Sequence, residues 1–213
     1  MSVSEDRTVQ PAVQPTPPAS GIADPAPLGL AAFALTTFLL EAGNAHWMNG
    51  NATGAAFLGY AFAYGGFVQI LAGMWEFRNR NVFGATAFSS YGGFWIGVGL
   101  WVLLVKPLAT PSTAFAGHDL AWILLAFAIF NTYMMVLAAQ VNMAVFGVFF
   151  TLELTEIFGA IGGFANSAGV SQVSGYVGIL TALVAWYASF AGIANGLGGR
   201  IRVPVGKPLL SAP

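Results

Sequence analysis

Asp24-Pro25-Ala26-Pro27-Leu28-Gly29-Leu30 leads without a break into Ala31-Ala32-Phe33-Ala34-Leu35-Thr36-Thr37-Phe38-Leu39-Leu40. The entry marks a helix start. Asp24 reads as the N-cap, its carboxylate accepting from a free backbone N–H of the first turn. Pro25 then stands at the first helical position, where its missing N–H costs nothing, and Pro27 is tolerated in the same turn. The run beyond this entry is too apolar to face water. Within it, Phe33, Thr37, Glu41 and Asn44 recur at helical spacing on one face. An apolar helix with one polar stripe needs neighbours to cover that stripe, and the remaining segments can supply them.

Of 213 residues, 57% are hydrophobic and 7% charged, where a soluble domain carries roughly 25% charged residues. The chain therefore reads as an all-α integral membrane protein. Seven basic residues against eight acidic ones leave a net charge of −1, with no basic patch for nucleic acid. Cysteine is absent, which excludes disulfides and thiolate metal sites, and two histidines, His46 and His118, are too few for a His-built metal site. Residues 1–23, with Pro11, Pro15, Pro17 and Pro18 among Ser, Gln and Thr, read as a disordered N-terminal tail. Glu5 and Asp6 stand where a secretory signal requires basic residues.

A helix needs about 20 mostly apolar residues to cross the hydrocarbon core. Six stretches meet this: Leu28–Ala45, Thr53–Trp75, Phe83–Val105, Asp119–Ala139, Asn142–Phe164 and Val173–Gly196. They make residues 24–196 a six-helix transmembrane domain, followed by a basic C-terminal tail, 197–213, with Arg200, Arg202 and Lys207. The turn near Gln140 is the weakest boundary; one broken helix there would leave five spans. Six spans put both tails and the second and fourth links on one side, with Arg7, Arg78, Arg80, Arg200, Arg202 and Lys207, against Lys106 on the other. That asymmetry makes both termini cytoplasmic in a plasma or inner membrane. A faint likeness between 32–40 and 126–135 is compatible with an inverted three-plus-three repeat.

Gly93 with Gly97, Gly159 with Gly163, and Gly192 with Gly196 stand four apart, so each pair shares a helix face and permits close approach. Packing within one subunit and contact between subunits both explain such pairs. Charged groups at membrane depth are costly and usually face a pore or a partner. Glu76 stands at a helix end beside Arg78 and Arg80, where an interfacial ion pair or an anchor for a neighbouring helix end would suit it. Glu153 and Glu156 are neighbours on the fifth span. Two carboxylates so close resist ionising together, which suits a proton relay; a structural or vestibule role is the plainer reading. The pair also resembles half of a di-metal carboxylate site, but no His follows at the required spacing, so no metal and no cofactor is expected. Asn131, Thr132, Ser89 and Ser90 can satisfy neighbouring helices by hydrogen bonding. Trp47, Trp75 and Trp101 lie near span ends, as an interfacial belt requires, whereas Tyr91, Phe94 and Trp95 lie deeper. No phosphate loop, Gly-x-Ser-x-Gly elbow or His-Glu-x-x-His motif is present, and the chain does not read as an enzyme.

Three strings carry a resemblance: the entry Pro25–Leu30, with Asp24 where relatives have Asn; Gly65-Gly66-Phe67-Val68-Gln69 running to Ala72-Gly73 and Glu76-Phe77; and Asn81-Val82-Phe83-Gly84-Ala85-Thr86-Ala87-Phe88-Ser89-Ser90-Tyr91-Gly92-Gly93-Phe94-Trp95. On these the chain resembles the acetate uptake transporter family, the SatP/YaaH-type permeases, over nearly all of 24–203. The resemblance implies six helices per subunit and a homohexamer with a pore in each subunit. It also implies a central constriction of Phe33, Tyr91 and Leu152. Glu153 and Glu156 lie outside the family pattern, and Glu41 stands where relatives often carry Asn.

Thr36, Thr37, Asn44, Gln69 and Asn131 are the expected substrate-binding groups, able to hydrogen-bond a carboxylate while the aromatic ring passes a methyl group. The expected function is a membrane permease, channel or proton-coupled, for acetate and similar small monocarboxylates, with succinate as a further candidate. The alternatives are a conduit for neutral species such as ammonia or acetic acid, and a non-transporting membrane scaffold or sensor.

Overall fold

In the computed structural model, residues 21–48, 53–108 and 116–210 are described. The expected disordered tail therefore lies outside the described residues except for 21–23, as do parts of two links on the far side. The helices are α1 (Ala26–Asn44), α2 (53–78), α3 (82–105), α4 (Ala116–Ala138), α5 (Met143–Phe164) and α6 (Ala168–Gly196). All six contain stretches long and apolar enough to cross a membrane, and there is no strand among the described residues. The turn at 139–142 does separate α4 from α5. The amides of Gln140 and Val141 bond back to Leu137 and Ala138, and Asn142 restarts the chain by accepting from the Val145 N–H at 2.9 Å.

Side-chain caps explain most boundary differences. α1 begins one residue later than expected: Pro25 is the N-cap and Ala26 opens the helix, while the Asp24 carboxylate still accepts from the Ala26 N–H at 3.0 Å. Asn81 caps α3 through the Gly84 N–H at 3.1 Å. Ser167 caps α6 through Val170, so that helix starts ahead of the expected Val173 and takes in the polar Ser171 and Gln172. α2 is not a uniform α-helix. It widens into a π-helical turn over Ala63–Val68 before resuming at Gln69–Arg78, and α3 ends in a second π-helical turn, Trp101–Val105.

α1 packs most extensively on α6, α6 on α5, α5 on α4, and α2 on α3. The Pro-led entry is pinned by Ser189, whose hydroxyl donates to the Pro27 carbonyl at 2.6 Å. Close approach of α1 to α6 depends on Gly178, where a Cβ would stand 2.3 Å from the Glu41 Cγ. Beyond α6 the chain turns back as an extended strap. Asn195 holds both polar groups of the Val203 backbone, at 2.9 and 3.0 Å. The Tyr187 hydroxyl donates to the Pro204 carbonyl, and Val205 and Leu210 pair with the backbone of Ala144 and Ala139. The strap covers the α4–α5 turn, a feature its Pro-containing, mixed composition does not announce.

Tyr60, Phe67, Trp75, Trp122, Phe150, Leu183 and Phe190 are exposed on outer helix faces. A patch this extensive would be untenable in water and is the normal dressing of a lipid-facing surface.

Candidate functional site: three cavities in series

A column of cavities runs through the bundle. The first, about 90 Å³, opens on the side of the chain ends and is lined by Leu30, Gln69, Asn81, Phe83 and Phe149. The second, a middle chamber of about 30 Å³, is lined by Thr37, Glu41, Trp95, Thr155 and Glu156. The third, about 350 Å³, lies at the far side among Glu41, Asn44, Lys106, Ser171 and Ser174. The first and second share Phe33, Tyr91 and Leu152 and no other residue. The second and third share Leu40, Glu41, Phe94, Leu124 and Thr155. By volume the middle chamber suits one or two waters.

Phe33, on α1, is 4% exposed, Tyr91, on α3, 3%, and Leu152, on α5, 6%. The rings of Phe33 and Tyr91 meet edge to face, centroids 5.7 Å apart. Phe94, Phe127 and Phe130 surround the other sides of Tyr91 at 5.6 to 6.2 Å. Sequence reasoning misses Phe127 and Phe130, although their spacing of three on α4 sets both on the face that carries Asn131.

The expected substrate-binding groups separate. Thr37 lines the middle chamber, and its hydroxyl finds no partner among the described residues. Gln69 lines the first cavity with its carbonyl oxygen equally unpartnered. Asn44 lines the far cavity and donates to Glu41 at 2.9 Å. Thr36 and Asn131 line none of the three. The Thr36 hydroxyl bonds the Ala32 carbonyl at 3.0 Å, and the side chain is packed where a Cβ on Gly65 would fall, because the π-helical turn presses that glycine against α1. Asn131 is fully buried and bonds Tyr91, Glu153 and the Phe149 carbonyl.

The acidic pair also divides. Glu156 reaches the middle chamber, with one oxygen 3.3 Å from the Tyr91 hydroxyl and the other without a partner among the described residues. Glu153 turns towards α4, where Asn131 and Thr132 donate to it at 2.7 and 2.8 Å. Glu76 makes no ion pair with Arg78 or Arg80. It is fully buried, takes one bond from Asn79 at 3.3 Å, and lies against Gly84 at the start of α3, because its face of α2, shared with Gln69 and Gly73, points inward. A polar seam unseen in the sequence links α5 to α6. The Thr155 and Thr181 hydroxyls lie 3.1 Å apart, and Ser174 donates to the Thr155 carbonyl at 2.8 Å. No group of three or more His, Asp or Glu gathers as a metal site among the described residues.

Comparison with known proteins places this architecture. Acetate permease A of Emericella nidulans is 37% identical over 212 residues, covering 92% of this chain and 70% of that protein. The succinate-acetate/proton symporter SatP of Escherichia coli is 33% identical over 188 residues, covering 87% of this chain and 96% of that one. The solved structure of the bacterial acetate channel SatP matches with a TM-score of 0.80 at 32% identity, over 87% of this chain and 99% of that one. The family described as GPR1/FUN34/yaaH matches residues 6–207. This six-helix, multi-pass membrane protein therefore belongs to the GPR1/FUN34/yaaH family.

Proposed function

We propose that this chain is a membrane permease passing acetate and similar small monocarboxylates, with succinate as a further cargo, through a pore inside each subunit. Phe33, Tyr91 and Leu152 form its constriction. One observation carries the reading: the first cavity and the middle chamber share those three residues and no others. Acetate has a methyl and a carboxylate. The ring strips water and accommodates the methyl, while groups on either side hydrogen-bond the carboxylate, so that no single site holds it. Gln69 stands before the ring and Thr37 after it, each with an unsatisfied polar atom. The Thr37 hydroxyl can donate to a carboxylate, whereas the free Gln69 atom, its carbonyl oxygen, accepts from the O–H of the neutral acid.

Glu41 and Glu156 both line the middle chamber. Two unit charges of like sign about 4 Å apart, at an effective dielectric of ~20, repel by about 4 kcal/mol. An acetate ion therefore crosses with a proton on these carboxyls or as the neutral acid. This favours, as a second reading, a conduit for neutral species such as acetic acid or ammonia. Reconstitution in liposomes separates the readings. Acetate-dependent current marks anion conduction, uptake without current marks neutral or proton-coupled passage, and failure of every solute to cross in folded protein refutes a permease. The charge asymmetry of the links supports cytoplasmic termini. The open face at Gly93 and Gly97, where an added Cβ meets nothing within 4 Å, supports a homo-oligomer, a hexamer on the family pattern.

A further inference from the structure

Tyr91 is tethered at its tip. Its hydroxyl lies 3.0 Å from the Asn131 Oδ1 and 3.3 Å from the Glu156 Oε1. The amide of Asn131 has its orientation set by its other bonds. Its two N–H hydrogens go to the Phe149 carbonyl at 2.8 Å and to Glu153 at 2.7 Å, which leaves Oδ1 to face Tyr91 as an acceptor. Glu153 is held in turn by Thr132. The tyrosine hydroxyl carries one hydrogen and faces two oxygens. It donates to Asn131 and accepts from a protonated Glu156, or an ionised Glu156 competes with Asn131 for that hydrogen. α3, which bears Tyr91, touches α4 sparsely, whereas α4 and α5 are closely packed. The tether therefore joins α3, which packs on α2, to a firm pair that it otherwise barely touches.

From this geometry we infer that Asn131, oriented by Glu153, and Glu156 are specificity-determining positioning residues. They hold the Tyr91 ring across the pore and so set the largest acid that passes, without touching cargo at Asn131. The inference rests on Phe33, Tyr91 and Leu152 being the constriction. Neither the removal of water at the ring nor the aromatic cage requires a buried amide bonded in this way; only a fixed hydroxyl does.

The test is uptake of labelled acetate and butyrate into proteoliposomes by Tyr91→Phe, Asn131→Leu and the double variant, with the butyrate-to-acetate ratio as readout. Tyr91→Phe keeps the ring and removes only the tether. An interhelical hydrogen bond in a membrane is worth about three- to fifteenfold in an equilibrium, and each single variant raises the ratio on that scale. The double variant rises no further than Tyr91→Phe, which by itself already cuts both the Asn131 and the Glu156 contacts. Unchanged ratios in both single variants, or full additivity in the double, overturn the inference. Should Asn131→Leu fail to assemble, Glu156→Leu takes its place in the cycle; should both fail, Tyr91→Phe alone decides. Tyr91→Ala separates the constriction from its tether. If even that variant leaves the ratio unmoved, the constriction reading falls; if it moves the ratio while Tyr91→Phe does not, only the tether falls.

Discussion

Phe33→Ala tests the ring most directly. The side chain is 4% exposed, its edge-to-face partner is Tyr91 at 5.7 Å, and it stands between cavities of about 90 and 30 Å³. In a soluble core, truncating a buried Phe costs about 3–5 kcal/mol, with about 0.5–1.5 kcal/mol assignable to the aromatic pair. In a bilayer the lipid is as apolar as the core, so the transfer part of that cost drops out and the packing part remains. The protein should therefore survive the substitution while the two cavities merge. An apolar site resists one additional methylene by about 1–3 kcal/mol, roughly 10- to 200-fold. Losing one of the ring's members should remove the low end of that range, raising propionate over acetate by about tenfold. Uptake of the two labelled acids into proteoliposomes measures it, and the ratio is independent of how much protein reconstitutes. An unchanged ratio in folded Phe33→Ala would refute the sieve.

Three further outcomes are expected. Gly178→Val drives a side chain into Glu41, the Cβ alone meeting its Cγ at 2.3 Å. Thermal unfolding in detergent should show a loss of about 1–3 kcal/mol from overpacking, partly restored by adding Glu41→Ala. Glu153→Gln with Glu156→Gln should flatten the pH profile of acetate uptake. Protonation of Glu156 removes negative charge beside the path, so native uptake rises as pH falls, and the amide at that position holds the neutral form at every pH. The other titratable groups lining the chamber, Glu41 on α1 and Tyr91 on α3, remain in that variant, and a profile as steep as the native one returns the pair to a structural role. At Gly93 and Gly97 an added Cβ meets nothing within 4 Å, so Gly93→Leu with Gly97→Leu probes the outer face of α3. Light scattering on the purified protein should show unchanged folding and weakened assembly; intact assembly would locate the interface elsewhere.

The architecture is legible in the chain because hydrophobic length is a local property. Six apolar runs and the Pro-led entry are each decided within a few residues, and membrane solvent leaves an apolar run of that length little choice but helix. Phe33, Tyr91 and Leu152 come from resemblance, not from spacing, since nothing in a helical period singles them out among 18 Phe and six Tyr residues. What tertiary structure alone decided was the partner each polar group met. Thr36 and Thr37 are adjacent, yet a π-helical turn in α2 buries one against Gly65, while the other faces the chamber. Glu153 and Glu156 lie one turn apart, yet α4 claims the first and the middle chamber the second. Asn131, expected as a cargo ligand, bonds Tyr91, Glu153 and the Phe149 carbonyl. A sequence states which groups need partners; which partner they find depends on the rotation and approach of helices distant in the chain, set by packing no local pattern encodes.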